Sequence, residues 1–179
     1  MKSKICDKLG IEFPLFAFTH CRDVVAAVTN AGGFGVLGAV GHTPESLEIE
    51  LNWIDEHVNG KPYGVDLLIP NKIIAKGEMP SAAELEARIP PEHRAYITDL
   101  LPRHGLDVDD LWEPGSDGRY GENLRPEGAG RLLDVAFAHP IKLIVNALGV
   151  PPDFMMEQAR ANGVAVGALT GAREHALKH

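Results

Sequence analysis

The stretch that most constrains the fold covers residues 13–41, FPLFAFTHCRDVVAAVTNAGGFGVLGAVG. Its two apolar runs, Pro14–Phe18 and Phe34–Val40, show no alternation, which is typical of parallel strands covered on both faces. Between the runs, apolar residues recur at helical spacing: Val24, Val25, Val28 and Ala31. Because two strands joined by a helix pair in parallel, this stretch predicts a β/α/β unit.

The rest of the chain repeats this unit with one interruption. Further apolar runs predict strands at Tyr63–Ile69, Ile141–Ala147 and Val164–Leu169. Between the third and fourth strands, residues 71–130 depart from the repeat, with helical patterns followed by a stretch rich in glycine and charge. Long segments of this kind are usually lids or binding loops, so we predict an insertion or lid there. The sequence thus predicts one α/β domain over residues 1–179.

Two nucleotide-binding alternatives lack the sequence context that they need. Residues Gly33–Gly38 spell the dinucleotide fingerprint G-x-G-x-x-G, but they follow a predicted helix and form a strand. The fingerprint must instead follow a strand and open a helix. A doubly wound flavodoxin-type domain would need a phosphate loop after the first strand, where Thr19–Asp23 contains no glycine. Both alternatives therefore rank below a series of β/α units.

Composition narrows the partners and the compartment. A formal net charge of -8 argues against a nucleic-acid partner or an anionic membrane. No apolar run approaches the roughly 20 residues of a membrane span, and the first residues lack the apolar core of a signal peptide. Two cysteines, Cys6 and Cys21, do not make a disulfide framework. We therefore expect a cytoplasmic protein that binds neither nucleic acid nor a membrane, and we predict no metal site.

One charged residue falls within a predicted strand. Asp66 interrupts the apolar run of the third strand, and a buried carboxylate is costly unless hydrogen bonds compensate it. Two explanations stay open at this point. Backbone amides or a neighbouring arginine could satisfy the carboxylate, or it could face a ligand.

Several segments together resemble a known enzyme family. They are ICDKLGIEFPLF, DVVAAVTNAGGFGVLGA, TPESL, PYGVDLL and ANGVAVGALTGAREHA. They resemble the N-terminal half of nitronate monooxygenases, formerly called 2-nitropropane dioxygenases. The resemblance implies a (β/α)8 TIM barrel of which about the first five β/α units are present. It also implies an FMN-dependent enzyme that oxidises alkyl nitronates with oxygen, and a family catalytic histidine, in an E-A-G-G-H segment, that lies in the second half of the barrel.

The resemblance also implies site residues. The family's Q-A-P-M segment, whose backbone lies against the flavin, matches residues 17–20, and a flavin-contacting asparagine matches Asp66. FMN contacts are therefore expected at four residues: Ala17, Phe18, Thr19 and Asp66. We expect His20 to act as the catalytic proton relay or as a donor to the anionic nitronate. Asn146 and His42, near the carboxyl ends of strands, are expected to contact the substrate.

A non-catalytic alternative remains. The chain could be a truncated half-barrel that folds as an open α/β sheet and pairs with a second copy. Such a homodimer would bury strands and an apolar face that water would otherwise meet.

Overall fold

A single parallel sheet organises the computed structural model, which describes residues 3–70, 82–109, 111–112 and 122–177. Its five strands are β1 (Phe16–Thr19), β2 (Phe34–Gly38), β3 (Gly64–Leu67), β4 (Leu143–Asn146) and β5 (Ala165–Ala168). Four of them lie inside the apolar runs that predicted strands, and β1 extends one residue beyond its run. The prediction of five parallel strands is confirmed.

Helices alternate with the strands. They are α1 (Lys4–Leu9), α2 (Arg22–Asn30), α3 (Pro44–His57), α4 (Ala82–Ala87), α5 (Pro91–Leu100), α6 (Pro126–Ala138), α7 (Asp153–Ala161) and α8 (Arg173–Ala176), with a 3-10 helix at Leu101–His104. Helix α6 begins at Pro126, within the last residues of the segment 71–130. Proline is favourable at the first turn of a helix because an N–H there would have no partner within the helix. Residues 71–81, 110 and 113–121 lie outside the described ranges, and the role of that segment as an insertion or lid stays a prediction.

The order of the strands identifies the architecture. Neighbouring strands in the sheet are also neighbours in the chain, in the order β1-β2-β3-β4-β5. A doubly wound sheet would reverse its strand order part-way, and the flavodoxin-type alternative is therefore wrong. Residues Gly33–Gly38 lead into and form β2, so the dinucleotide fingerprint lacks its required context. The sheet is a sector of a TIM barrel.

The two faces of the sheet are covered very differently. The outer face packs against α2, α3, α6 and α7, and its core includes fully buried side chains of β2, β3 and β4. On the inner face, α1 closes the amino end of the sheet, where Cys6 and Leu9 pack with Phe34. The inner face is otherwise open near β1, where Phe16 and Phe18 are 43% and 58% exposed. The outer face therefore carries most of the hydrophobic stabilisation.

A polar network at the amino side of the sheet joins α3 to the ends of α6 and β3. The Tyr63 hydroxyl donates to Asp55 Oδ1 at 2.7 Å, and burial together with this bond raises the pKa of Tyr63. The buried His139 ring places Nδ1 2.7 Å from Asp55 Oδ2 and Nε2 3.2 Å from Glu48 Oε2. Carboxylates only accept, so both contacts are hydrogen bonds when the ring is an imidazolium.

This network predicts a loss of stability when its imidazole is removed. We expect His139→Leu to lower the free energy of unfolding by about 1–3 kcal/mol, because a partly buried carboxylate loses its partner. Urea denaturation measures the change, and His93→Ala, on the exposed side of α5, is the control. Equal stability of the two variants would show that the network contributes nothing.

Candidate active site

The carboxyl ends of β1, β2 and β3 bring three predicted site residues to one rim. His20 follows β1, His42 follows β2, and Asp66 lies in β3. Burial has the largest effect on the pKa of both His42 and Asp66, and a charge on the nearby His20 adds to this effect at His42 and opposes it at Asp66. Parallel strands that are adjacent in the sheet necessarily place their carboxyl ends together, which is where TIM-barrel enzymes hold their chemistry.

Asp66 is the group at this rim whose environment is least favourable to its charge. In the sheet it pairs with Gly38 on one side and Val145 on the other, and it is only 6% exposed. Burial raises the pKa of Asp66 to about 6, against an opposing effect of His20. Within the part of the chain that the structure describes, no arginine or backbone amide donates a hydrogen bond to its carboxyl oxygens. The described residues therefore supply no structural partner for Asp66, and its ligand-facing role stays a prediction.

His20 lies over the end of β2. Its Nδ1 is 3.2 Å from the carbonyl oxygen of Gly38, and its ring meets the ring of Phe18 edge-on at a centroid distance of 5.0 Å. The Phe18 side chain is on the inner face, beside the rim. Ala17 and Thr19 alternate to the opposite face, and the Thr19 hydroxyl accepts from the Cys21 amide at 3.0 Å. Ala17 and Thr19 therefore present only their backbone to the inner face.

His42 sits in the loop between β2 and α3. It is half-buried, and burial lowers its pKa more than the nearby Glu50 raises it. Its Nδ1 lies 3.3 Å from the hydroxyl of Ser46, which belongs to the capping box at the start of α3. The buried Asn123 amide donates to the carbonyls of Val40 and His42, both at 2.7 Å. Asn123 therefore holds the loop between β2 and α3 in place.

Asn146 is fully buried at the end of β4. Its Oδ1 accepts from the amides of Ile69 and Leu148 at 2.9 and 3.3 Å. Its Nδ2 donates to the carbonyls of Ile69, Gly149 and Val150 at 3.1–3.3 Å. The side chain thus joins the loops after β3 and β4, and direct contact with a substrate stays a prediction.

A cavity lies on the other side of the rim, against the edge strand β5. Its volume is about 290 Å³, and its lining consists of Val150, Pro151, Asp153, Met156, Val166, Gly167 and Ala168. None of the predicted site residues lines this cavity. Among the described residues, no cluster of three or more His, Cys, Asp or Glu side chains could hold a metal ion.

Sequence comparison identifies the family. Residues 2–179 match the profile described as nitronate monooxygenase. The chain belongs to the nitronate monooxygenase family. It is 51% identical over 181 residues to a protein of Mycobacterium tuberculosis named as a monooxygenase. The match covers 100% of this chain and 48% of that protein. It is 29% identical over 101 residues to the probable nitronate monooxygenase of Staphylococcus saprophyticus, over 54% of this chain and 27% of that protein.

Solved structures agree on the fold. Nitroalkane oxidase from Streptomyces ansochromogenes superposes with a TM-score of 0.63 at 21% identity, over 97% of this chain and 44% of that one. FabK from Thermotoga maritima superposes with a TM-score of 0.60 at 16% identity, over 99% of this chain and 40% of that one. The chain spans about half of the length of these relatives or less. The predicted family and the partial TIM barrel are confirmed.

Along the described residues, no helix is long and apolar enough to cross a bilayer. Sequence reasoning singled out Asp66, His20 and His42, whose roles stay predictions, and did not single out Asn123, which holds the His42 loop. Asn123 falls in segment 71–130, where no periodicity marks it, and its bonding partners lie 81 and 83 positions away. No local signal could have revealed it.

The raised pKa of Asp66 predicts a specific dependence of stability on pH. The pKa is about 6 in the folded protein and 3.8 ordinarily, so between these values the folded state holds the extra proton. Stability is therefore lost as the pH rises from about 4 to about 6, and the loss is complete above that range. Asp66→Asn should remove this slope in urea unfolding midpoints measured across the range. The exposed Asp23→Asn should keep it, and an unchanged slope in Asp66→Asn would contradict the assignment.

Proposed function

We propose that this chain supplies the cofactor-facing half of an FMN-dependent oxidoreductase that oxidises alkyl nitronates with oxygen. The observation that carries the proposal is the desolvated Asp66 carboxyl, which no described residue satisfies, beside His20 at the carboxyl rim. Family membership supports the reaction class. A titratable group whose pKa is shifted by burial, at the rim of a barrel sheet, is typical of a functional site.

The inner face at the rim has a shape that suits a flat ring. Gly38, Asp66, Val145 and Gly167 are in register across β2 to β5, so their Cα atoms form one layer of the sheet. Of these four positions, Gly167 carries no side chain and leaves room above the backbone of β5, whereas the rings of His20 and Phe18 occupy the space over Gly38. An isoalloxazine ring could lie there against main chain, with the Asp66 carboxyl as its polar contact. Ala17, Phe18 and Thr19 would border it from β1.

The protein's own groups would bind and handle protons. FMN, when bound, would accept electrons from the nitronate and pass them to oxygen. Asp66 would accept a hydrogen bond when ionised and donate one when protonated, and burial favours the protonated form. His20 would donate to the anionic nitronate or relay its proton. His42 and the loop that Asn146 holds would border the substrate.

Among the residues that the structure describes, none forms an evident site for the phosphate of FMN. A phosphate needs converging backbone amides at a helix start after a strand, and the described loops at the rim provide no glycine-rich turn of this kind. We therefore assign phosphate binding, and the catalytic histidine typical of the family, to the second half of a complete barrel. This division predicts weak binding of FMN and no turnover by this chain alone.

Titration with FMN tests the proposal. We expect flavin fluorescence to change on addition of the purified protein, and Asp66→Ala to weaken binding on the order of tenfold, equal to about 1.4 kcal/mol. Asp66→Asn should retain affinity, because a carboxamide both accepts and donates. The exposed Asp23→Ala is the control for net charge.

Two outcomes would count against the proposal. A protein that stays colourless and leaves flavin fluorescence unchanged at high FMN concentration would contradict a cofactor-facing role. Equal affinity in Asp66→Ala and the Asp23→Ala control would remove Asp66 from the site while leaving flavin binding itself intact.

The non-catalytic homodimer is a second candidate, and the open inner face favours it. Phe16 and Phe18 expose 43% and 58% of their surface, and every residue of the edge strand β5 is only half-buried. A second copy that covered these surfaces would remove apolar area from water. Sedimentation equilibrium should then show a dimer that dissociates on dilution. A monomer at every accessible concentration would contradict self-association.

A further inference from the structure

We propose that Gly38 is a positioning residue that fixes the His20 ring in one tautomer, so that Nε2 is the atom of that side chain which exchanges a proton with the pocket. This inference rests on the proposed function for its catalytic meaning. The geometry that supports it lies entirely within β1, β2 and the residue after β1.

The position of His20 requires a glycine at residue 38. A Cβ atom built there would lie 2.7 Å from both Nδ1 and Cε1 of the His20 ring, and 2.7 Å from Cζ of Phe18. Real side chains do not approach so closely, so any larger residue would push one or both rings away from β2. The ring of His20 therefore occupies the space that a side chain at position 38 would take.

Other glycines of the sheet serve a different purpose. A Cβ at Gly35 would meet backbone atoms of Val25 at 2.6–2.8 Å, and one at Gly64 would meet the carbonyl of Leu143 at 2.8 Å. Those contacts concern the packing of helix on strand and strand on strand. At Gly38 the conflict is instead with two side chains of the rim, which links this glycine to the site rather than to the core.

The hydrogen bond to Gly38 determines where the imidazole carries its proton. His20 Nδ1 lies 3.2 Å from the Gly38 carbonyl oxygen, which can only accept. Nδ1 must therefore carry hydrogen, whether the ring is neutral or protonated. In the neutral ring, Nε2 holds the lone pair. In the imidazolium, Nε2–H is the remaining donor. Gain and loss of the proton thus occur at Nε2 alone.

This arrangement suits a relay between a bound anion and solvent. A protonated Nε2 can donate a hydrogen bond to an anionic nitronate oxygen, and a neutral Nε2 can accept a proton from a substrate. The titratable groups that face the ring are Asp66 from β3 and His42 from the loop after β2. The His20 ring does not need to rotate when its charge changes, because the Gly38 carbonyl accepts from Nδ1–H in both charge states.

Nitrogen NMR of histidine-labelled protein reads the tautomer directly. We expect the His20 signals, assigned by their loss in His20→Gln, to show the Nδ1–H form of the neutral ring. In Gly38→Ala, the displaced ring should change to a mixture of both tautomers. The Nε2–H form in the unmodified protein, or an unchanged spectrum in Gly38→Ala, would overturn the inference.

A matched control separates this effect from general damage to the sheet. Gly167→Ala adds the same methyl group in the same layer of the inner face, where its nearest neighbour is a Val145 methyl at 3.3 Å. It should leave the His20 tautomer unchanged. If Gly38→Ala alone does not fold, the double variant Phe18→Leu/Gly38→Ala relieves the second close contact, and the tautomer of the unmodified protein remains a decisive measurement.

The tautomer experiment needs no flavin. A fixed Nδ1–H tautomer without any FMN binding would support the role of Gly38 and contradict the proposed function. Binding of FMN with a freely exchanging tautomer would do the opposite.

Discussion

The in-register pairing of parallel strands is the constraint on which the rest of this structure depends. The pairs Gly38–Asp66 and Asp66–Val145 place the carboxyl of Asp66 on the inner face, between two residues that do not donate to it. A slip of one residue in β3 would turn Asp66 toward the helices and bring Val65 and Leu67 to the rim. These two side chains are fully buried in the outer core, so the cost of removing them from it specifies the register.

The two faces of the sheet differ in how well their polar groups are satisfied. On the outer face, helices cover apolar strand residues, and polar groups are satisfied, as in the network around His139. On the inner face at the rim, a carboxyl is desolvated without a described donor, and this lowers stability above the pH at which it ionises. A cost of this kind persists when the remainder of the fold offsets it, and strained or desolvated groups of this sort concentrate at functional sites.

The sequence was sufficient for the parts of this fold that depend on local pattern. Continuous apolar runs predicted all five strands, and the break at Asp66 was visible because a charge is rare in a strand covered on both faces. The role of Gly38 was not visible, because it depends on how β1 and β2 lie side by side, with His20 18 positions away. The burial of Asn146 was missed for a related reason: Ile69, which exchanges two hydrogen bonds with its side chain, lies 77 positions earlier. Contacts between separate β/α units leave no periodicity in the sequence.

The electrostatic character of the rim arises within this chain. Asp66 is 6% exposed in a sheet whose inner face is otherwise open near β1. Water that reaches the exposed Phe18 nevertheless weakens any charge interaction at the rim, since screening by solvent reduces Coulomb energies severalfold. Closure of the barrel by further strands would exclude that water and strengthen a hydrogen bond from a protonated Asp66 or His20 to an anion. Under the proposed function, His20 and Asp66 would therefore depend on such an enclosure to interact strongly with an anion.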